Sequence, residues 1–123
     1  MDFQKMVDRT NQIMNYYIES DKIRIGHELS RGDYFKALVG DIGALAKLTM
    51  AKDGLRDIED VDIKLSREFA DILSCLIVLA QKYEVDLEKA FYEGMDELER
   101  RATTSSGVRG LTKTDAKTGN FNR

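Results

Sequence analysis

Apolar residues along this chain recur at intervals of three and four rather than two, and no proline interrupts them, so the pattern predicts helices and no strands. The first helix spans residues 3–19, with Phe3, Met6, Val7, Thr10, Ile13, Met14 and Tyr17 on one side. Residues 20–33 mix charges with Gly26 and Gly32 and read as a connector, with room for a short helix around Ile23 and Leu29. A second helix begins near Asp33 and stops by Gly54. A third, with Asp62 as its N-cap, runs to residue 84, and Asp86 caps a fourth over residues 87–101. From residue 102 the chain is rich in Ser, Thr, Gly, Lys and Asn, with too little apolar surface to offset the entropy of ordering it. The expected organisation is an all-α domain over residues 1–101 and a flexible basic tail over 102–123.

Placing each helix on a wheel of about 100° per residue singles out three acids. On the second helix, Phe35, Leu38, Val39, Ile42, Leu45, Ala46, Leu48 and Thr49 fill one broad arc, and Asp41 is the only acid inside it. On the third, Phe69, Ile72, Leu76, Leu79, Ala80 and Tyr83 centre the expected buried face, with Glu68, Asp71 and Cys75 along one flank. Cys75 and Val78 neighbour Asp71 on that wheel, so it is expected out of solvent. Glu68 and Asp71 stand i, i+3 and meet on one face. An ionised carboxylate withdrawn from water must find a cation, a proton or hydrogen-bond donors. Two carboxylates held together repel unless a cation lies between them, and hard oxygen donors suit Mg²⁺ or Mn²⁺. Gly40 and Gly43 each cost the second helix roughly 1 kcal/mol relative to alanine, which predicts close approach there by another backbone or by a ligand.

The charge distribution supports a cation site and narrows the other possibilities. Arg109, Lys113, Lys117 and Arg123 against Asp115 give the tail +3; with −3 overall, the helical body carries −6. Such a body offers no electrostatic case for binding nucleic acid or a membrane surface. No apolar run approaches the roughly 18 residues of a membrane span, and the N-terminus lacks the layout of a secretory signal. The single cysteine, Cys75, reads as a small core residue. Together these predict a cytoplasmic protein. With His27 as the only histidine, neither a histidine-based zinc site nor a Ser-His-Asp arrangement can be assembled in one chain. The run Gly107 to Leu111 lacks the Lys-Ser/Thr ending of a phosphate-binding loop.

Three segments carry a family resemblance: Leu38-Val-Gly-Asp-Ile-Gly-Ala-Leu-Ala-Lys-Leu48, Arg67-Glu-Phe-Ala-Asp-Ile-Leu73 and Lys82-Tyr-Glu-Val-Asp-Leu-Glu-Lys-Ala90. Together they resemble the MazG-like nucleotide pyrophosphohydrolases over residues 30–101. The resemblance implies a four-helix bundle assembled as a dimer or dimer of dimers. It also implies Mg²⁺-dependent cleavage of a nucleoside triphosphate to monophosphate and pyrophosphate. The Glu-x-x-Asp motif of that family is met by Glu68 and Asp71. Its Glu-Glu-x-x-Glu motif is depleted, reading Gly40, Asp41 and Ala44, so that only the middle acid is kept and is shorter by one methylene.

On this basis Asp41, Glu68 and Asp71 are the expected metal ligands, and Glu68 is the candidate catalytic residue, as ligand or as orienter of the attacking water. Lys47, Lys64, Arg67, Lys82 or the basic tail would meet the remaining phosphates. Asn11, Asn15, Tyr16 and Tyr17 of the first helix are the candidates for holding a base. Wide apolar arcs on helices two and three, with Leu87, Ala90, Phe91, Met95 and Leu98 on helix four, exceed what a lone bundle covers and predict a homodimer or homotetramer. The alternative is a weak or inactive helical dimer of the same fold that binds a nucleotide or a protein partner.

Overall fold

A computed structural model of the chain describes residues 2–104. Among these residues there are four helices and no strand: α1 (Phe3–Ile25), α2 (Arg31–Lys52), α3 (Val61–Lys82) and α4 (Leu87–Thr103). The expected flexible tail lies outside the described residues, apart from its first three positions, two of which extend α4. No helix among the described residues is long and apolar enough to cross a membrane.

Local chemistry sets the helix ends. The α1 helix starts where the Asp2 side chain accepts a hydrogen bond from the Lys5 amide at 2.9 Å. It continues well beyond residue 19, so there is no separate short helix around Ile23 and Leu29. The mixed charges of residues 19–24 belong to the helix itself: Glu19, Lys22 and Arg24 are exposed, Lys22 lies beside Glu19 at 3.7 Å, and the buried Asp21 is paired to Arg24 at 2.6 Å. Lys22 and Arg24 also complement the helix dipole in the last turn. Gly26, at φ 84°, ends the helix in the left-handed conformation.

The start of α2 is a capping box. The Ser30 hydroxyl accepts from the Asp33 amide at 3.1 Å, while the Asp33 carboxylate accepts from the Ser30 amide at 3.0 Å. Those bonds hold the Asp33 carboxyl below its ordinary range. At the far end the Leu55 amide donates to the Met50 carbonyl at 2.8 Å and the Gly54 amide to Ala51 at 3.1 Å. This is a Schellman stop with Gly54 at positive φ, as its position in the sequence predicts. The start of α3 differs from expectation: Asp60, itself left-handed, is the N-cap, and Asp62 lies in the first turn, paired with Lys52 at 2.6 Å. Asp86 caps α4 as expected, accepting from the Lys89 amide at 3.1 Å.

The chain divides into two units, one ending at Val85 and the other beginning at Asp86. In the first, the short 53–60 connection returns α3 antiparallel to α2, and α1 packs on α3. Tyr34, Leu38, Leu48, Ile77 and Val78 form the buried apolar core. The Cys75 thiol donates to the Tyr34 carbonyl at 3.5 Å, and Asn11 and Gln81 exchange amide hydrogen bonds at 3.1 and 2.9 Å. In the second unit, Arg100 and Arg101 pair with Glu97 near the end of α4.

The wide apolar arcs of α2 and α3 are only partly used inside this unit. Phe35, Val39 and Ile42 on α2 are more than half exposed, as is Phe69 on α3, and Leu73, Leu76 and Tyr83 are also open to solvent. Phe69, Leu76 and Tyr83 are therefore not at the centre of a buried face. Helix register puts Phe35, Val39 and Ile42 on the same side of the α2–α3 hairpin as Phe69, Leu73 and Leu76, with α1 on the other.

Gly40 and Gly43 also depart from expectation, since, apart from the adjoining turns of its own helix, no described atom would lie within 4 Å of a methyl group built on either. Gly40 thus pays the helix penalty without a packing return inside the chain. Gly40→Ala is expected to raise the unfolding free energy by about 1 kcal/mol. Urea denaturation followed by circular dichroism measures it, and a loss of stability would mean that something outside this chain segment occupies the space.

Candidate functional site

Asp41 on α2 and Glu68 on α3 meet where the two helices pack, both half-buried. Their approach follows from the register: Asp41 falls within the arc that α2 turns towards α3, and Glu68 lies on the flank that α3 turns back. The Glu68 Oε2 atom is shut off from solvent and has no hydrogen-bond partner among the described residues. Burial first, then the charges of Asp41 and Asp71 and the close approach of the Asp41 side chain, hold the Glu68 carboxyl above its ordinary range. Burial and two neighbouring acids thus oppose ionisation of Glu68, and as a carboxylate its inner oxygen has no donor among the described residues.

Asp71 is near enough to act on Glu68 through its charge, and the two line a common cleft. It is nevertheless exposed, contrary to the expectation that it is hidden from solvent. The wheel misplaced it because α1 covers Val78 nearer the C-terminal end of α3 and leaves the flank around Asp71 open. Among the described residues no three His, Cys, Asp or Glu side chains are gathered as a ready-made metal cage. The three acids occupy one neighbourhood, with Asp41 and Glu68 as its inner pair and Asp71 at the cleft.

By donor type alone, these acids are of the kind that ligate a hard divalent cation, although they are not gathered into a cage. A buried carboxylate oxygen without a donor, a second carboxylate beside it and a third on the open side provide acidic oxygens on a solvent-facing path. Mg²⁺ typically takes one or two carboxylates and keeps several waters. Among the described residues, none of the three acids is in an ion pair that would satisfy it already.

The cleft holding Glu68 and Asp71 has a volume of about 350 Å³. Ala44, Leu48 and Ile58 supply its apolar lining, while Lys47, Lys64 and Arg67 supply cations. Three of the four basic residues suggested by the sequence for phosphate contact therefore stand beside the acids. The fourth, Lys82, stands elsewhere, with its ammonium 4.9 Å from the centre of the Tyr34 ring.

Lys82 and Tyr34 border a second cleft of about 210 Å³ between α1, α2 and α3, where Asn11, Asn15 and Gln81 contribute amides. Of the residues expected to hold a base, Asn11 and Asn15 are here, though Asn11 is engaged with Gln81. Tyr16 and Tyr17 are well exposed and do not line it. Tyr34, the aromatic that does, is a residue the sequence reading does not single out; its i, i+4 relation to Leu38 is the available signal.

Cys75 lies within the electrostatic reach of Asp41. Burial first, and then the Asp41 charge, push its thiol up from its ordinary range, which leaves it a poor nucleophile. Compared with known protein families, curated proteins and solved structures, the chain finds no match in any of the three.

Proposed function

We propose that this chain is a Mg²⁺-dependent nucleoside triphosphate pyrophosphohydrolase of the MazG-like type, using Mn²⁺ as a substitute metal and releasing nucleoside monophosphate and pyrophosphate. The observation that carries the reading is the buried, donor-less Oε2 of Glu68 beside Asp41. Such an arrangement is costly for a fold and useful for a cation. The two-helix origin of the acids and the Glu-x-x-Asp spacing of Glu68 and Asp71 support the same reading.

Asp41, Glu68 and Asp71 would hold the metal, which when bound would screen the triphosphate charge and polarise the phosphorus under attack. Glu68, whose carboxyl has a raised proton affinity, orients the attacking water and accepts its proton. The water oxygen forms the new bond to phosphorus, the bridging P–O bond breaks, and pyrophosphate leaves with its electron pair. Asp41 fixes the inner side of Glu68, and Asp71 adds charge at the open side. Self-association through the exposed faces of α2 and α3 belongs to the same proposal.

The test is incubation of purified protein with a panel of nucleoside triphosphates and Mg²⁺ or Mn²⁺, followed by assay of monophosphate and pyrophosphate. Formation of both products supports the reading, while no product with any nucleotide and either metal leaves a nucleotide- or partner-binding helical dimer. The absence of a ready-made three-ligand cage among the described residues favours that second reading. Metal-induced thermal stabilisation separates ligand from bystander: Asp71→Asn, which removes charge while keeping shape, is expected to abolish the Mg²⁺-dependent rise in Tm. An undiminished rise would remove Asp71 from the ligand set.

A further inference from the structure

Lys64 precedes Glu68 by four residues, and Arg67 precedes Asp71 by four, a spacing at which helical side chains are neighbours and able to pair. Neither pair forms an ion pair, and Lys47 across the cleft on α2 has none either among the described residues. Elsewhere the chain does form such contacts, as between Lys52 and Asp62 and between Arg24 and Asp21. The cleft thus carries three uncommitted cations against two carboxylates.

We propose that Lys47, Lys64 and Arg67 form a phosphate-chain site which binds an inorganic or nucleoside polyphosphate by its anionic chain, before and independently of the metal. The inference rests on the hydrolase reading only for the choice of anion. Arg67 presents a planar fork suited to two oxygens of one phosphate, whereas the two lysines act as movable point charges. Their origin on both helices places the chain across the α2–α3 seam, alongside Glu68. At about 350 Å³ the cleft is near the small end of ligand pockets. Among the described residues no aromatic side chain lines it to stack a base. It therefore fits the phosphates and leaves the nucleoside outside, so recognition at this site is indifferent to the base. Mg²⁺, when held by Asp41, Glu68 and Asp71, would add positive charge beside the cations and tighten the anion further.

The probe is inorganic tripolyphosphate, titrated calorimetrically into the full chain in EDTA and again in Mg²⁺. Saturable binding in EDTA is expected, weakening as salt is added and strengthening with Mg²⁺. Removing charge without length in Lys64→Gln/Arg67→Gln should lower affinity about tenfold or more per cation lost, with circular dichroism unchanged. Arg67→Lys should restore part of the loss. Wild-type affinity in the Lys47→Gln/Lys64→Gln/Arg67→Gln variant, or no saturable binding by the wild type at millimolar tripolyphosphate, overturns the site. The outcome is separable from that of the hydrolase reading. Cation-dependent binding without nucleotide turnover keeps this site and rejects the hydrolase; turnover whose KM is untouched by the cation variants does the reverse.

Discussion

Glu68→Gln is expected to lower turnover by roughly 10²–10⁴-fold, the range for losing a positioned acid–base group, while raising the Tm of the metal-free protein. The two effects have one origin. The Glu68 carboxylate is held in a place with no donor for Oε2 and with Asp41 and Asp71 nearby, so its charge opposes folding while serving the chemistry. Glutamine keeps the shape and supplies an amide donor towards Asp41. The pH dependence follows with a definite sign. The native carboxyl has a higher proton affinity than the unfolded one, so between the ordinary value of 4.5 and the raised native value the folded state binds more protons. Stability of the metal-free wild type therefore falls as pH rises through that window and is regained on acidification. The Glu68→Gln variant loses this component. Thermal melts across the window, in EDTA, compare the two proteins directly. A variant less stable than wild type, with the same pH profile, would mean that Glu68 is an ordinary structural carboxylate.

The second large effect concerns assembly. Wild-type protein is expected to sediment at no less than twice its 14.0 kDa chain mass, and Ile42→Glu to sediment as a monomer. Phe35, Val39 and Ile42 on α2 and Phe69, Leu73 and Leu76 on α3 expose six large apolar side chains on one side of the hairpin, a patch of the kind soluble monomers seldom leave uncovered. Each is worth about 1.5–3 kcal/mol when fully buried. Because a twofold interface uses the same patch on both partners, one glutamate enters twice and faces apolar neighbours without a counter-charge. Ile42 is about half exposed within the chain, so the variant is expected to keep its helical circular dichroism. Sedimentation velocity over a concentration series checks this, and a wild type that stays monomeric at high micromolar concentration would refute the twofold contact.

The helical framework was legible because its signals are local. Spacing of apolar residues, the Gly54 stop and the Asp86 cap act within a turn or two and need no tertiary information. The first part of the expected 20–33 connector is helix; composition alone does not distinguish a charged helix turn from a loop, and the signals that extend α1 to Ile25 are the i, i+3 pair of the buried Asp21 with Arg24 and the Gly26 stop. Asp60 and Asp62 are the same residue type two positions apart, so the sequence does not separate them as caps; in the structure Asp60 is the N-cap, left-handed and without a side-chain cap bond.

The site was legible to a similar depth. A helical wheel locates Asp41 and Glu68 on apolar arcs, and these do come together. It gives the width of an arc but not the part a neighbouring helix covers, so Asp71, Phe69 and Leu76 were placed inside when they face water. The unmade pairs of Lys64 with Glu68 and Arg67 with Asp71 were likewise beyond reach, since the spacing predicts contact and only coordinates reveal that the side chains decline it.

Cys75 bridges α3 to the α2 backbone through its sulfur, and it is the chain's only thiol. It is only partly exposed, so alkylation by a bulky reagent is expected to quicken as the two helices part. The residue is therefore a native clock for opening of the seam that brings Asp41 to Glu68, and anything that clamps those acids together will slow it.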